Sequence, residues 1–153
     1  MQFGTVLATL FAATASGAAL KSRYATGFTV TNFTASCIPH SVMCTYEFYT
    51  ITDPASASPS GNSDPAKCSL MLQGPDYLPA VGLTGCAEKG AYSWAVDKIE
   101  GGLKLRVTTP QDSHGNYTGV YEITSDQLVA EQHGASISQR YTGPPGFTMA
   151  LGA

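Results

Sequence analysis

Four cysteines constrain this chain more than any other feature. Two of them bracket a six-residue stretch, CIPHSVMC, from Cys37 to Cys44; the others are Cys68 and Cys86. In an oxidising compartment an even number of cysteines argues for a disulfide framework. In a reducing one the same residues read as metal or redox sites. The compartment decides the chemistry, and the N-terminus bears on it.

MQFGTVLATLFAATASGAAL carries no charged side chain. An apolar run from Val6 to Ala13 leads into Ser16, Gly17, Ala18 and Ala19, which offer the small side chains that signal peptidase requires. The run is shorter than the roughly 20 apolar residues of a membrane-spanning helix. The expectation is a secretory signal peptide over 1–19, cut near Ala18 or Ala19, and a single secreted β-domain over 20–153. Taking 19 from 153 residues leaves 134, enough for one domain with its own core. Export would let all four cysteines pair. It would also give meaning to two sequons, Asn32-Phe-Thr and Asn116-Tyr-Thr, which make Asn32 and Asn116 candidate N-glycosylation sites.

Charged residues make up 12% of the chain, well under the usual quarter, and the net charge is −3. There is no basic run and no basic stripe interleaved with aromatics, which argues against nucleic acid as a partner. Nothing polybasic or amphipathic is present to hold a membrane surface.

The apolar pattern reads as strands. Phe28 and Val30 alternate with Thr29 and Thr31, and Phe33, Ala35 and Cys37 continue on the opposite parity. A one-residue slip near Asn32 is the signature of a β-bulge. On the return, Cys44, Tyr46 and Phe48 share a face, after which the phase changes to Tyr49 and Ile51. The stretch DPASASPSGNSDPAK, 53–67, is a surface loop. CSLMLQ from Cys68 is a short strand, GPDYLP a turn, and Ala80 to Cys86 a second short strand. Tyr92, Trp94 and Val96 alternate before the turn signal Gly101-Gly102, and Leu103, Leu105 and Val107 alternate after it. Another strand starts at Tyr117. SDQLVAEQHG reads as a turn or one helical turn, ASISQRY as a last strand, and TGPPGFTMALGA as an irregular tail. About eight short strands punctuated by Gly and Pro imply an all-β fold, a compact antiparallel β-sandwich or small β-barrel.

If the arms flanking CIPHSVMC pair antiparallel, Cys37 and Cys44 face each other at the mouth of a loop, within disulfide reach. Both have the parity of the apolar face. Sequential pairing, Cys37–Cys44 and Cys68–Cys86, is the expected connectivity; the spacing also permits Cys37–Cys68 with Cys44–Cys86. Structural zinc favours closer CxxC-like pairs, and a redox pair favours CxxC at a helix start. Neither pattern is present.

Catalytic signals are thin. Pro39-His40-Ser41 invites a hydrolase reading, but adjacent side chains diverge, and there is no Gly-x-Ser-x-Gly elbow. His40, His114 and His133 all fall in expected turns or loops. Asp97, Glu100, Asp112, Glu122, Asp126 and Glu131 could supply a glycosidase carboxylate pair, though solvated surface acids are the plainer reading. The parity of Trp94 with Tyr92 and Val96 places it in the core rather than on a sugar-stacking platform. No catalytic residue, metal ligand or cofactor is assigned from these signals, and the expectation is a non-enzyme that presents a surface.

The block FTVTNFTASCIPHSVMCTYEF, Phe28 to Phe48, resembles the hypersensitive-response-inducing protein elicitors secreted by filamentous ascomycete fungi. The likeness extends over the mature chain through the two later cysteines and the Gly-Gly hairpin, with its distinctive residues in about 20 positions. It implies a compact β-structure held by two disulfides and a secreted effector of the plant apoplast that triggers plant cell death and defence. Its partner would be a plant cell-surface receptor or an apoplastic protein. Carried over by position, Cys37 and Cys44 would staple a hairpin, and Ile38, Pro39, His40, Ser41, Val42 and Met43 would form the presented recognition loop. Two other readings follow from the residues. One is a cell-wall carbohydrate-binding module using Tyr77, Tyr117, Tyr121 or Trp94. The other is a host protease inhibitor presenting the Cys37–Cys44 loop, whose ordering cost the staple would already have met.

Overall fold

The computed structural model describes residues 24–58, 64–86, 91–111 and 115–152. The expected signal peptide over 1–19, with its cut near Ala18 or Ala19, lies outside these residues, as do Asp112 and His114. Ten strands follow in order: β1 (Gly27–Cys37), β2 (Met43–Asp53), β3 (Ala66–Gln73), β4 (Val81–Gly85), β5 (Ser93–Ile99), β6 (Gly102–Pro110), β7 (Asn116–Thr124), β8 (Leu128–His133), β9 (Ser136–Tyr141) and β10 (Phe147–Leu151). Eight of them form one antiparallel sheet in the order β3-β2-β1-β10-β7-β6-β5-β4, which curls into a near-closed barrel. The β8–β9 hairpin stands off this path and touches β1 through the pair Ser36 and Arg140.

The slip expected near Asn32 is real. The β1–β2 register shifts between Thr31 and Thr34, and Asn32 takes a φ of 52° there. A bulge lets one long strand serve two neighbours: the first half of β1 pairs with β10 and its far end meets β9. The second phase change, in β2, is not a slip. β2 pairs with β3 without a break from Met43↔Gln73 to Thr50↔Ala66. Thr50 and Thr52 hold inward positions and are fully buried; of the two residues expected to point inward, Ile51 is buried as well, while Tyr49 is only partly so. Neither threonine hydroxyl has a hydrogen-bond partner among the described residues, although other polar groups meet at this end of the barrel. Tyr92 donates from its phenol to Ser58 Oγ at 3.2 Å and accepts from the Thr52 backbone N–H at 3.2 Å, while Thr109 donates to the Ala91 carbonyl at 2.8 Å.

The β5–β6 hairpin turns at Glu100-Gly101, one residue before the expected Gly101-Gly102, because Ile99 and Gly102 form its last pair. Gly101 has a φ of 81°, which a side chain would strain. The stretch after Thr124 makes one 3-10 turn, Ser125–Gln127, before entering β8, and the tail expected to be irregular supplies β10. Aromatics fill the barrel. Trp94 is completely buried, edge-on to Phe48 at 5.2 Å and tilted against Tyr46 at 5.8 Å.

Both disulfides join cysteines in sequence order: Cys37 to Cys44 and Cys68 to Cys86. The second lies at the seam. β3 and β4 are the two edges of the sheet and share no ladder. Cys68 in β3 and Cys86, just past β4, span the gap with their Cα atoms 4.3 Å apart. Buried Leu78 lies on the connection between the same two strands, and buried Val81 opens β4.

Candidate functional site

The stapled loop forms one end of the barrel. Cys37 and Cys44 are facing partners in the β1–β2 ladder, so the disulfide closes the mouth of the loop. Above it the Ile38 N–H donates to the Met43 carbonyl at 2.9 Å. The Ser41 N–H donates to the Ile38 carbonyl at 3.1 Å, and the Met43 N–H donates to Ser41 Oγ at 3.1 Å. His40 sits at the turn with a φ of 60°. Ser41 turns its hydroxyl into the loop, while Ile38, Pro39, His40 and Val42 are exposed. Ile38 is 38% exposed and Val42 51%, large apolar side chains in water at the tip of a clamped turn.

Two further segments meet this loop. The first is the connection from β3 to β4. The Gly74 N–H donates to the Val42 carbonyl at 2.8 Å, and the Gly74 carbonyl oxygen lies 2.8 Å from Cys44 Sγ, a contact without a proton because the sulfur is in a disulfide. Any side chain at 74 would collide with Pro79 and with Cys44 Sγ, which explains the glycine. Tyr77, next along, is half exposed, while Leu78 plugs the core. Tyr46 reaches up from the core to donate to the Pro79 carbonyl at 2.8 Å, and burial pushes its phenol pKa well up.

The second segment is the β8–β9 hairpin. The Gln139 N–H donates to the Asp76 carbonyl at 2.9 Å, and Gln139 Oε1 accepts from the Leu78 N–H at 2.9 Å. At the hairpin tip Ser136 Oγ lies 3.4 Å from His40 Nδ1. The stapled end is thus built from three pieces of chain, around 38–43, 74–78 and 133–139. The sequence pointed to the first alone. The others are tied in by hydrogen bonds spanning about 30 to 100 residues, which no local pattern reveals.

The remaining candidates are distributed over the surface. Ser41 and His40 do not face each other: Ser41 is committed to Met43 and His40 to Ser136. Asp97 is paired with Arg106 at 2.6 Å and Glu131 with Arg140 at 2.7 Å, while Glu122 is exposed and stands opposite Lys104 in the β6–β7 ladder. His133 lies 3.6 Å from Glu131. Among the described residues no group of three or more His, Cys, Asp or Glu side chains is placed to hold a metal. Of the aromatics considered for sugar stacking, Trp94 and Tyr117 are buried and Tyr121 is stacked on Phe147 at 3.7 Å, leaving Tyr77 open. Asn32 is exposed at the bulge on the barrel wall. Asn116 is exposed at the end of β7 that pairs with Pro110, away from the staple. No protein-family model matches the chain, and no curated protein matches it.

Proposed function

We propose that the chain is a secreted elicitor that acts on plant tissue through recognition of its stapled end rather than through catalysis. The observation that carries this reading is the loop itself. Six residues are held by a disulfide, three internal hydrogen bonds and the Gly74 contact beneath, yet they present Ile38 and Val42 to solvent. Exposed apolar side chains on a pre-ordered turn are what a recognition surface needs, since the ordering cost is met before the partner arrives. A plant cell-surface receptor or an apoplastic protein is the partner this reading implies. Both sequons lie off this end, so glycans at Asn32 and Asn116 would leave it uncovered. The resemblance of the 28–48 block to fungal elicitors supports the same reading, as do two disulfides of the kind that persist in oxidising surroundings.

The inhibitor reading gains less support. Protease clefts take extended backbone, whereas the Ser41-to-Ile38 bond and the left-handed His40 fold the loop tip into a tight turn. The test is infiltration of leaf tissue with purified protein, native beside reduced and alkylated. Cell death with the native form alone is the expected result. Death with both forms would move recognition to a linear epitope, and no response to either would overturn the elicitor reading.

A further inference from the structure

At the same end of the barrel, but apart from the loop, lies a cavity of ≈ 350 Å³. Leu78, Ile99, Leu103 and Leu128 supply its apolar walls, and its polar side chains are Lys98, Ser125 and Gln139. Leu78 and Leu103 are buried core residues, so the floor is the top of the core itself.

The polar groups are biased in one direction. Gln139 accepts the Leu78 N–H through Oε1, and a backbone N–H can only donate, so the carboxamide orientation is fixed. Its free capacity is the pair of Nε2 protons. Lys98 is exposed and makes no ion pair among the described residues. Among the described residues no carboxylate lines the cavity: Asp97, beside Lys98 in sequence, is held by Arg106, and Glu100 and Asp126 flank the lining without joining it. A hollow that mixes apolar side chains with one ammonium and amide donors suits a small body, apolar at one end and carrying one negative charge at the other. A dianion would leave half its charge uncompensated against the leucines.

We infer that this cavity binds a small amphipathic carboxylate, its apolar body against Leu78, Ile99, Leu103 and Leu128 and its carboxylate toward Lys98 and Gln139. The site stands independently of the elicitor reading, because neither Ile38 nor Val42 lines it.

The experiment titrates octanoate, and 1-octanol as its uncharged counterpart, into the isotopically labelled secreted chain, followed by amide chemical shifts. Octanoate is expected to bind saturably, with shifts concentrated at 99–103, 125–128 and 139, and roughly fivefold more tightly than octanol, as one partly exposed ion pair allows. Lys98→Met should erase that preference, and Leu128→Asp should weaken both ligands. Lys98 is exposed and Leu128 half-buried, so both variants should keep the wild-type spectrum elsewhere. The inference is overturned if octanoate binds no better than octanol, if the preference survives Lys98→Met, if the shifts map elsewhere, or if neither ligand saturates in the millimolar range.

Discussion

Cys68 in β3 and Cys86 just beyond β4 are bonded across the gap between the two edge strands, where no ladder runs among the described residues, their Cα atoms 4.3 Å apart. The fold is closed there by a covalent bond instead of by backbone pairing. The disulfide closes an 18-residue segment, worth about 3 kcal/mol in the chain-entropy picture. Cys68→Ser with Cys86→Ser should lose about that much in urea unfolding, and amide exchange should rise first in β3 and β4. Uniform exchange across all strands would show that the seam is held by something other than this bond.

The other staple has a different role. Cys37 and Cys44 are already ladder partners, so their disulfide reinforces a hairpin that backbone bonds also hold. A Cys37→Ser, Cys44→Ser variant should remain a folded barrel, losing about 2 to 3 kcal/mol. Its faster amide exchange should be confined to 38–43 and Gly74. A cooperative loss of the whole near-ultraviolet signal would contradict this.

Gly74 is fixed by crowding. A methyl group there would approach Pro79 Cδ at 2.6 Å and Cys44 Sγ at 2.9 Å. Gly74→Ala is expected to cost about 1 to 3 kcal/mol, the usual penalty for overpacking. Shift changes should spread from 74–80 to Val42. An unchanged melting temperature would mean that the crossing segment moves aside freely.

Tyr46 links stability to pH. Its folded pKa is raised by burial, whereas in the unfolded chain it titrates near 10. A raised folded pKa gives a stabilising contribution that is complete below about pH 10 and is lost as pH climbs beyond it. Tyr46→Phe should cost about 1 kcal/mol at neutral pH by leaving the Pro79 carbonyl unpaired. It should also flatten the alkaline fall in unfolding free energy. Some slope should remain from Tyr141, whose pKa is raised by burial first and by Tyr121 in addition. An alkaline slope identical in variant and wild type would contradict the role assigned to Tyr46.

The parts of the fold that were legible in the sequence are those set by local pattern. The parity break at Asn32, the facing pair Cys37 and Cys44 and the burial of Trp94 all follow from two-residue alternation. The end of β2 misled that pattern because Thr50 and Thr52 are buried although polar, and Ile51 between them is buried too, so alternation of apolar residues does not track the inward face there. β8 and β10 were missed for related reasons. Every β8 side chain is at least partly exposed, and β10 follows Gly-Pro-rich chain and is held by pairing with β1 and β7. In the candidate site the loop was legible, while Gly74, Asp76, Ser136 and Gln139 were not. They join it through contacts across the barrel end, and sequence distance conceals such contacts.

In the proposed function, the outward side chains of the stapled loop are what plant tissue recognises. The direct measurement is infiltration of leaves with folded Ile38→Asp, Val42→Asp protein beside wild type at matched dose, scored for cell death. Both side chains are exposed, so the barrel should keep its stability to within about 0.5 kcal/mol. The response should fall at least tenfold in dose, as the loss of a buried apolar anchor in an interface implies. Full cell death from the folded variant would contradict it and place the recognised surface elsewhere on the barrel.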